Sequence, residues 1–152
     1  MTRYAEQTQV SSDKSRAEID RTLQRYGATA FMYGWAENAA SVEFEMNGRR
    51  IRFRLPMPDR NAFELTPTGK ARGAEQVQRE WEKATRQRWR ALVLVIKAKL
   101  EAVESGITVF EDEFMAHICL PSGETVGDWM RPQIAIAYDS GRMPKLLPGP
   151  AA

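Results

Sequence analysis

The chain has 152 residues, 43% of them hydrophobic, and its Lys and Arg outnumber Asp and Glu by only 22 to 20. That length suits one domain with a real core, and no stretch approaches the roughly 18–20 apolar residues of a membrane span. A single cysteine, Cys119, and a single histidine, His117, exclude an intrachain disulfide and a clustered zinc site, so a soluble, cytoplasmic protein without cofactor or metal is expected.

The first ten residues carry no apolar signal core and read as a flexible segment. Residues 11–142 read as one domain, and the Pro-rich residues 143–152 as an extended tail. Residues 11–26 predict a short amphipathic helix, because Ile19, Leu23 and Tyr26 share a face. Ser11, Ser12 and Ser15 offer alternative caps, Ser15 and Glu18 have capping-box spacing, and Gly27 is placed to end the helix.

Residues 29–35 alternate Phe31, Tyr33 and Trp35 against Met32 and Gly34, as a strand does. In residues 41–55, Asn47-Gly48 is the preferred dipeptide of a type I′ hairpin turn, in which both central positions need positive φ. That turn dictates a register: Met46 opposite Arg49, Glu45 opposite Arg50, Phe44 opposite Ile51, Glu43 opposite Arg52 and Val42 opposite Phe53. One face is then apolar, and the other sets glutamates against arginines, leaving Arg49 and Arg54 without a cross-strand carboxylate. Arg49 to Arg54 interleaves basic and aromatic residues in the manner of a nucleic-acid motif, but the register also explains it as ordinary hairpin pairing.

Residues 56–73 hold three prolines and two glycines and read as a long loop. Residues 74–105 predict a helix of about 48 Å. Val77, Trp81, Thr85, Trp89, Leu92, Ile96, Leu100 and Val103 form its core stripe. Arg79, Lys83, Arg86, Arg90 and Lys97 form a basic ridge on a second line. Residues 49–100 together hold fourteen Lys and Arg against five Asp and Glu, and the rest of the chain eight against fifteen. Such polarisation can steer a polyanion to one face. The same ridge also reads as a solvated face, since Glu75 with Arg79, Glu82 with Arg86 and Lys97 with Glu101 are i,i+4 pairs that support a helix. Lys83 and Arg90 have no such acidic neighbour four residues earlier.

Residues 113–120 alternate Phe114, Ala116, Ile118 and Leu120 against Met115, His117 and Cys119 and predict a fourth strand. A turn at Pro121-Ser122-Gly123 leads into a last helix reaching about Tyr138, with Pro132 kinking it or opening its second half. His117 and Cys119 fall on one strand face but roughly 7 Å apart, which disfavours a nucleophile pair. Glu111, Asp112 and Glu113 read as a solvated acidic turn. Trp81, Trp89 and Trp129, with Phe31, Tyr33 and Trp35, have the rings that stack bases, yet most lie on predicted core faces, and Trp35 at a strand end stands apart.

The order helix, three strands, helix, strand is similar to the core of restriction-endonuclease-like nucleases, which place an Asp on the second strand and Glu-x-Lys on the third. Here the third strand reads Arg50-Ile51-Arg52-Phe53-Arg54 and the second offers only Glu43 and Glu45, so an active nuclease is not expected. Three strands followed by a long helix are also similar in order to phage single-strand annealing proteins. Three stretches, residues 14–20, 86–92 and 120–129, resemble an uncharacterised family of small proteins encoded by phages and mobile elements. That resemblance spans nearly the whole chain and brings no known active site. It implies a setting in which accessory binders, including inhibitors of host machinery, are commoner than metabolic enzymes.

The expected fold is a single α+β domain of order α-β-β-β-α-β-α, its mainly antiparallel four-stranded sheet covered by the long helix, with the N- and C-terminal helices completing the core. The expected function is non-catalytic accessory binding of nucleic acid, or of an acidic nucleic-acid-handling protein. The contact residues would be Arg79, Lys83, Arg86, Arg90 and Lys97, joined by Arg49, Arg54, Lys70 and Arg72. One alternative is a protein-interaction or self-assembly module, with acidic flanks of one copy meeting the basic middle of another. A second is a small hydrolase or degenerate nuclease-like domain using His117 or the carboxylates at 111–113. With no base-reading motif, the sequence leaves DNA, RNA and protein open as partners, and the oligomeric state with them.

Overall fold

The computed structural model describes residues 3–36 and 38–143, with side chains from Ser12 onward. The first helix, α1, spans Arg3–Arg25. It begins well before the predicted start, so Ser12 and Ser15 are not caps but buried residues within it, at 6% and 9% exposure. With Ile19, Thr22 and Leu23 they form its inward face. Beyond α1, Gly27 takes φ of 98°, and the Ala28 and Gly27 amides bond to the Leu23 and Gln24 carbonyls, the reciprocal closure that ends many helices.

Three strands follow, β1 (Ala30–Ala36), β2 (Ala39–Met46) and β3 (Arg49–Pro56), forming an antiparallel sheet in the order β1-β2-β3. The predicted hairpin register holds at every pair from Met46 with Arg49 to Val42 with Phe53. Asn47 and Gly48 both have positive φ, 53° and 72°, as a type I′ turn requires. Period-two alternation then puts Ala40, Val42, Phe44 and Met46 of β2, and Ile51, Phe53 and Leu55 of β3, on one buried face.

Residues 57–73 fold back on themselves. A 3₁₀ turn at Arg60–Phe63 is capped by Asp59, whose carboxylate accepts from the Asn61 amide. Leu65 bridges Ala71, and Arg72 donates to the Phe63 and Leu65 carbonyls. Trp81 and Arg88, on the next helix, donate to the Pro58 and Pro56 carbonyls and hold the loop down.

That helix, α2, spans Ala74–Glu104. Thr85, Trp89, Leu92, Ile96 and Leu100 are buried as the stripe predicts, and Val93 and Glu82 join them. Val77, Trp81 and Val103 are only half-buried. The two long helices run side by side in the same direction, with Glu18 beside Arg90 and Lys97, and Tyr26 donating to Glu101. The core is formed by α1, β2, β3, α2 and the short helix α3 (Phe110–Phe114), with Phe31 of β1 packed at its margin.

The predicted fourth strand, and the element order built on it, do not form: among the described residues the sheet has three strands. Residues 113–120 contain the end of α3, a 3₁₀ turn at Met115–His117 and an extended stretch whose single bridge to the sheet is Ile118 with Ile51. The cause is Phe110. It lies four residues before Phe114, and both bury only if the chain makes one helical turn between them. Glu111, Asp112 and Glu113 occupy the first turn, where negative charge suits the helix dipole. Phe114 then meets Phe44 and Phe53 edge-on, at centroid distances of 6.0 and 6.3 Å.

The last helix, α4, spans Val126–Ser140, with Thr125 accepting from the Asp128 amide as its cap and Pro132 inside it. It contains no buried residue. The expectation that a C-terminal helix completes the core is therefore corrected: α4 docks beside the Met115–His117 turn, where a Cβ on Gly127 would lie 2.9 Å from the Ala116 carbonyl oxygen. The predicted tail beyond Met143 lies outside the described residues.

Candidate interaction surfaces

The C-terminal part of the predicted basic ridge, Arg90 and Lys97, lies beside α1. Glu18, at the centre of the seam between the two long helices, receives both Arg90, at 2.6 Å, and Lys97. The hydrogen bond from Lys97, supported by Arg90 and opposed by partial burial, holds the Glu18 carboxyl below its usual range. Two of the five ridge cations are thus spent on helix pairing. Arg79 and Lys83 are exposed and Arg86 is half-buried, and none of the three forms an ion pair among the described residues.

The remaining predicted contact residues do not converge on that ridge. Arg49 pairs with Glu111 at 2.7 Å. Arg54 is exposed on the outer face of β3. Lys70 lies exposed in the folded loop, and Arg72 is occupied with loop carbonyls. On the outer sheet face Glu43 draws in Arg52 at 2.6 Å and Arg50 at 2.6 Å, the latter a diagonal neighbour. Burial pushes the Glu43 carboxyl up, but the charge-assisted bonds from Arg52 and Arg50 outweigh it and leave it below its usual value. Arg52 also donates to the Gly123 carbonyl at 2.8 Å.

Of the residues weighed for catalysis, His117, Glu111 and Glu113 contact neighbouring side chains. His117 stacks on Phe53 with ring centroids 4.0 Å apart. Desolvation, with Lys99 nearby, lowers its pKa. Cys119 is half-buried, and burial raises its thiol pKa despite the adjacent Arg52 and Arg50. Glu111 and Glu113 contact Arg49 and Lys99. Among the described residues no three His, Cys, Asp or Glu side chains cluster as a metal site would need, and no helix is long and apolar enough to cross a membrane.

The two edges of the sheet are treated differently. Along β3 the Cys119 amide donates to the Arg50 carbonyl at 2.8 Å, and Ile118 bridges Ile51, so residues 118–119 lie against that edge. Along β1 no described residue pairs with the outer edge. Its seven residues, Ala30-Phe31-Met32-Tyr33-Gly34-Trp35-Ala36, carry no charge and no proline. Trp35 is 74% exposed and Met32 56%. Tyr33 is steadied from beneath by Trp89, 5.6 Å between centroids, and by the Arg16 guanidinium 4.2 Å from its ring. Beside the start of β1 an open groove of about 390 Å³ is lined by Asp20, Leu23, Gln24 and Phe31. The sequence sets Trp35 apart by its place at a strand end; the edge it belongs to and the groove beside it depend on pairing order, which no local pattern reveals.

Comparison with protein-family models, with curated proteins and with solved structures finds no match to this chain.

Proposed function

We propose that this chain is a non-catalytic binding protein that engages another protein along the open edge of β1. The observation that carries the reading is the edge itself: seven residues, none charged, with Trp35 and Met32 mostly in solvent and no described residue pairing outside them. Proteins ordinarily blunt such an edge with lysine, proline, a bulge or a covering segment. A partner strand laid along it gains main-chain hydrogen bonds, and Tyr33 and Trp35 supply apolar contacts of the kind that dominate protein interfaces. The stacking of His117 on Phe53 and the burial-raised thiol of Cys119 fit packing roles and support a non-catalytic reading. The test is capture from a lysate on immobilised wild type and on Trp35→Lys: bound proteins should be lost from the variant, and an identical bound set on both would end this reading.

A second reading, nucleic-acid binding, is favoured by one observation. At the N-terminal half of α2, Arg79, Lys83 and Arg86 form no ion pair among the described residues, and the exposed Lys70 lies in the loop that precedes the helix. Labelled single- and double-stranded DNA and RNA, titrated at about 50 and 200 mM salt, should then bind with an affinity that falls steeply with salt. Binding should vanish in a Lys83→Glu/Arg86→Glu variant, and no binding by wild type at low salt removes the reading.

A further inference from the structure

We infer that the occupant of the β1 edge is a second copy of β1, paired antiparallel about a two-fold axis at Tyr33, so that two three-stranded sheets join into one of six strands. This rests on the edge-binding reading above and names its partner.

The argument is self-complementarity. A two-fold interface presents the same patch to itself, so each residue must tolerate its image. Centring the strand on Tyr33 sets Ala30 against Ala36, Phe31 against Trp35 and Met32 against Gly34 of the second copy. Every opposed pair is uncharged, so no like-charge repulsion arises between the strand residues, and the Arg16 guanidinium that each copy holds over Tyr33 is neutralised by Asp13. The large residues meet small or aromatic ones: the exposed Met32 side chain crosses over Gly34, which has no side chain to resist it. On the opposite face, Phe31 and Trp35 make the aromatic pair that stabilises cross-strand contacts.

The groove beside β1 strengthens the assignment. Phe31 is part of its wall, together with Asp20, Leu23 and Gln24 of α1. Directly opposed residues share a face of the sheet, so the Trp35 ring of the second copy comes over this groove, and its indole N–H meets a wall carrying the Asp20 carboxylate and the Gln24 amide oxygen. Two-fold symmetry repeats the arrangement, burying both otherwise exposed tryptophans. On the other side of the sheet, residues 118–119 already lie against β3 at Arg50 and Ile51. A two-fold contact uses the same edge of both copies, so association closes at two.

The test is sedimentation velocity of the full chain from about 1 to 100 μM, with circular dichroism to verify that each variant is folded. Met32 and Trp35 are mostly exposed, so replacing them leaves the core intact. Wild type should form dimers, and Trp35→Ala should weaken them at least about tenfold. In the paired register Met32 is diagonal to its own image, roughly 7–8 Å away. Met32→Lys alone and Met32→Glu alone should therefore each dissociate, while an equimolar mixture should restore a mixed dimer. A wild-type dimer indifferent to both Trp35 and Met32 variants would overturn the self-pairing, and an identical captured set on wild type and Trp35→Lys would overturn the edge-binding reading. A wild type that stays monomeric throughout would overturn the self-pairing alone and leave the edge reading to the capture test.

Discussion

The edges of the sheet differ in both charge and cover. β3 carries Arg50, Arg52 and Arg54 on its outer face, and its edge is closed by the Cys119 amide and the Ile118 bridge. β1 is uncharged, and no described residue pairs along its outer edge. Several of the cations that made the middle of the chain look like a polyanion surface are engaged: Arg50 and Arg52 on Glu43, Arg49 on Glu111, Arg90 with Lys97 on Glu18. Charge counted along a chain is thus a poor guide to charge presented to a partner. Among the described residues the apolar β1 edge is left unpaired, as are the Arg79, Lys83 and Arg86 side chains of α2.

The largest effect should come from breaking what covers β3. Phe114 is fully buried between Phe44, Phe53 and Phe110. Its truncation in Phe114→Ala should cost about 3–5 kcal/mol, read as a lower urea midpoint. Loss of this anchor should also free residues 115–120, so amide exchange at Cys119 should accelerate more than exchange within β2. If Cys119 remained as protected as before, Phe114 would not be what holds the covering segment.

Next comes the outer face of the covered side. In Glu43→Gln the two arginines lose their shared carboxylate, and roughly 1.5 kcal/mol should go with it. The pH dependence has a definite sign. Glu43 and Glu18 both titrate lower in the folded protein than in the unfolded chain. Their contribution is therefore complete above the unfolded carboxylate value of about 4.3 and is lost as pH falls through the lowered folded values. Wild-type stability should decline on acidification below about pH 4, and the Glu43→Gln/Glu18→Gln double variant should show a shallower decline between the same limits. An unchanged slope in the double variant would remove these two carboxylates from the acid response.

Much of the fold is legible in the sequence where signals are local. Asn47-Gly48 dictates the hairpin and its register, and Gly106, with φ of 79°, marks the end of α2. The failures come where two periods compete or where a partner is distant. From 113 onward the residues alternate as a strand would, but Phe110 lies outside that window and converts its start to helix. Glu18 reads as a capping residue by spacing and is instead the anion between two helices. The basic ridge is grouped by helix periodicity alone, and only the position of α1 reveals that Arg90 and Lys97 pair with Glu18 along a seam. For β1 the sequence predicts the strand and its aromatic face, but whether it is central or at an edge depends on pairing order.

A smaller effect is expected at α4, which touches the covered side through the Met115–His117 turn. Gly127→Ala would place a Cβ 2.9 Å from the Ala116 oxygen and 3.3 Å from an Arg131 nitrogen. The arginine can move but the carbonyl is backbone, so the helix must shift. Because no residue of α4 is buried, the core keeps its packing. Stability should drop by about 1 kcal/mol or less, with faster exchange confined to α4 and the 118–125 turn.

The smallest effect tests the thiol at the covered edge. Cys119 sits between opposing influences: burial raises its pKa most, Glu43 also raises it, and Arg52 and Arg50 pull it down. Because burial wins, the thiolate fraction at neutral pH is below that of a free cysteine, and half-burial limits access as well. A thiol reagent at about pH 7.5 should therefore modify the native protein several-fold more slowly than the urea-unfolded chain. Removing the anchor in Phe114→Ala should bring the two rates together, because residues 115–120 then open without global unfolding. The ratio of rates thus measures how tightly β3 is covered, and it should not change in Trp35→Lys, whose substitution lies on the other edge of the same sheet. Faster modification in Trp35→Lys would mean that the two edges are coupled through β2 and that the open edge is not energetically separate from the closed one.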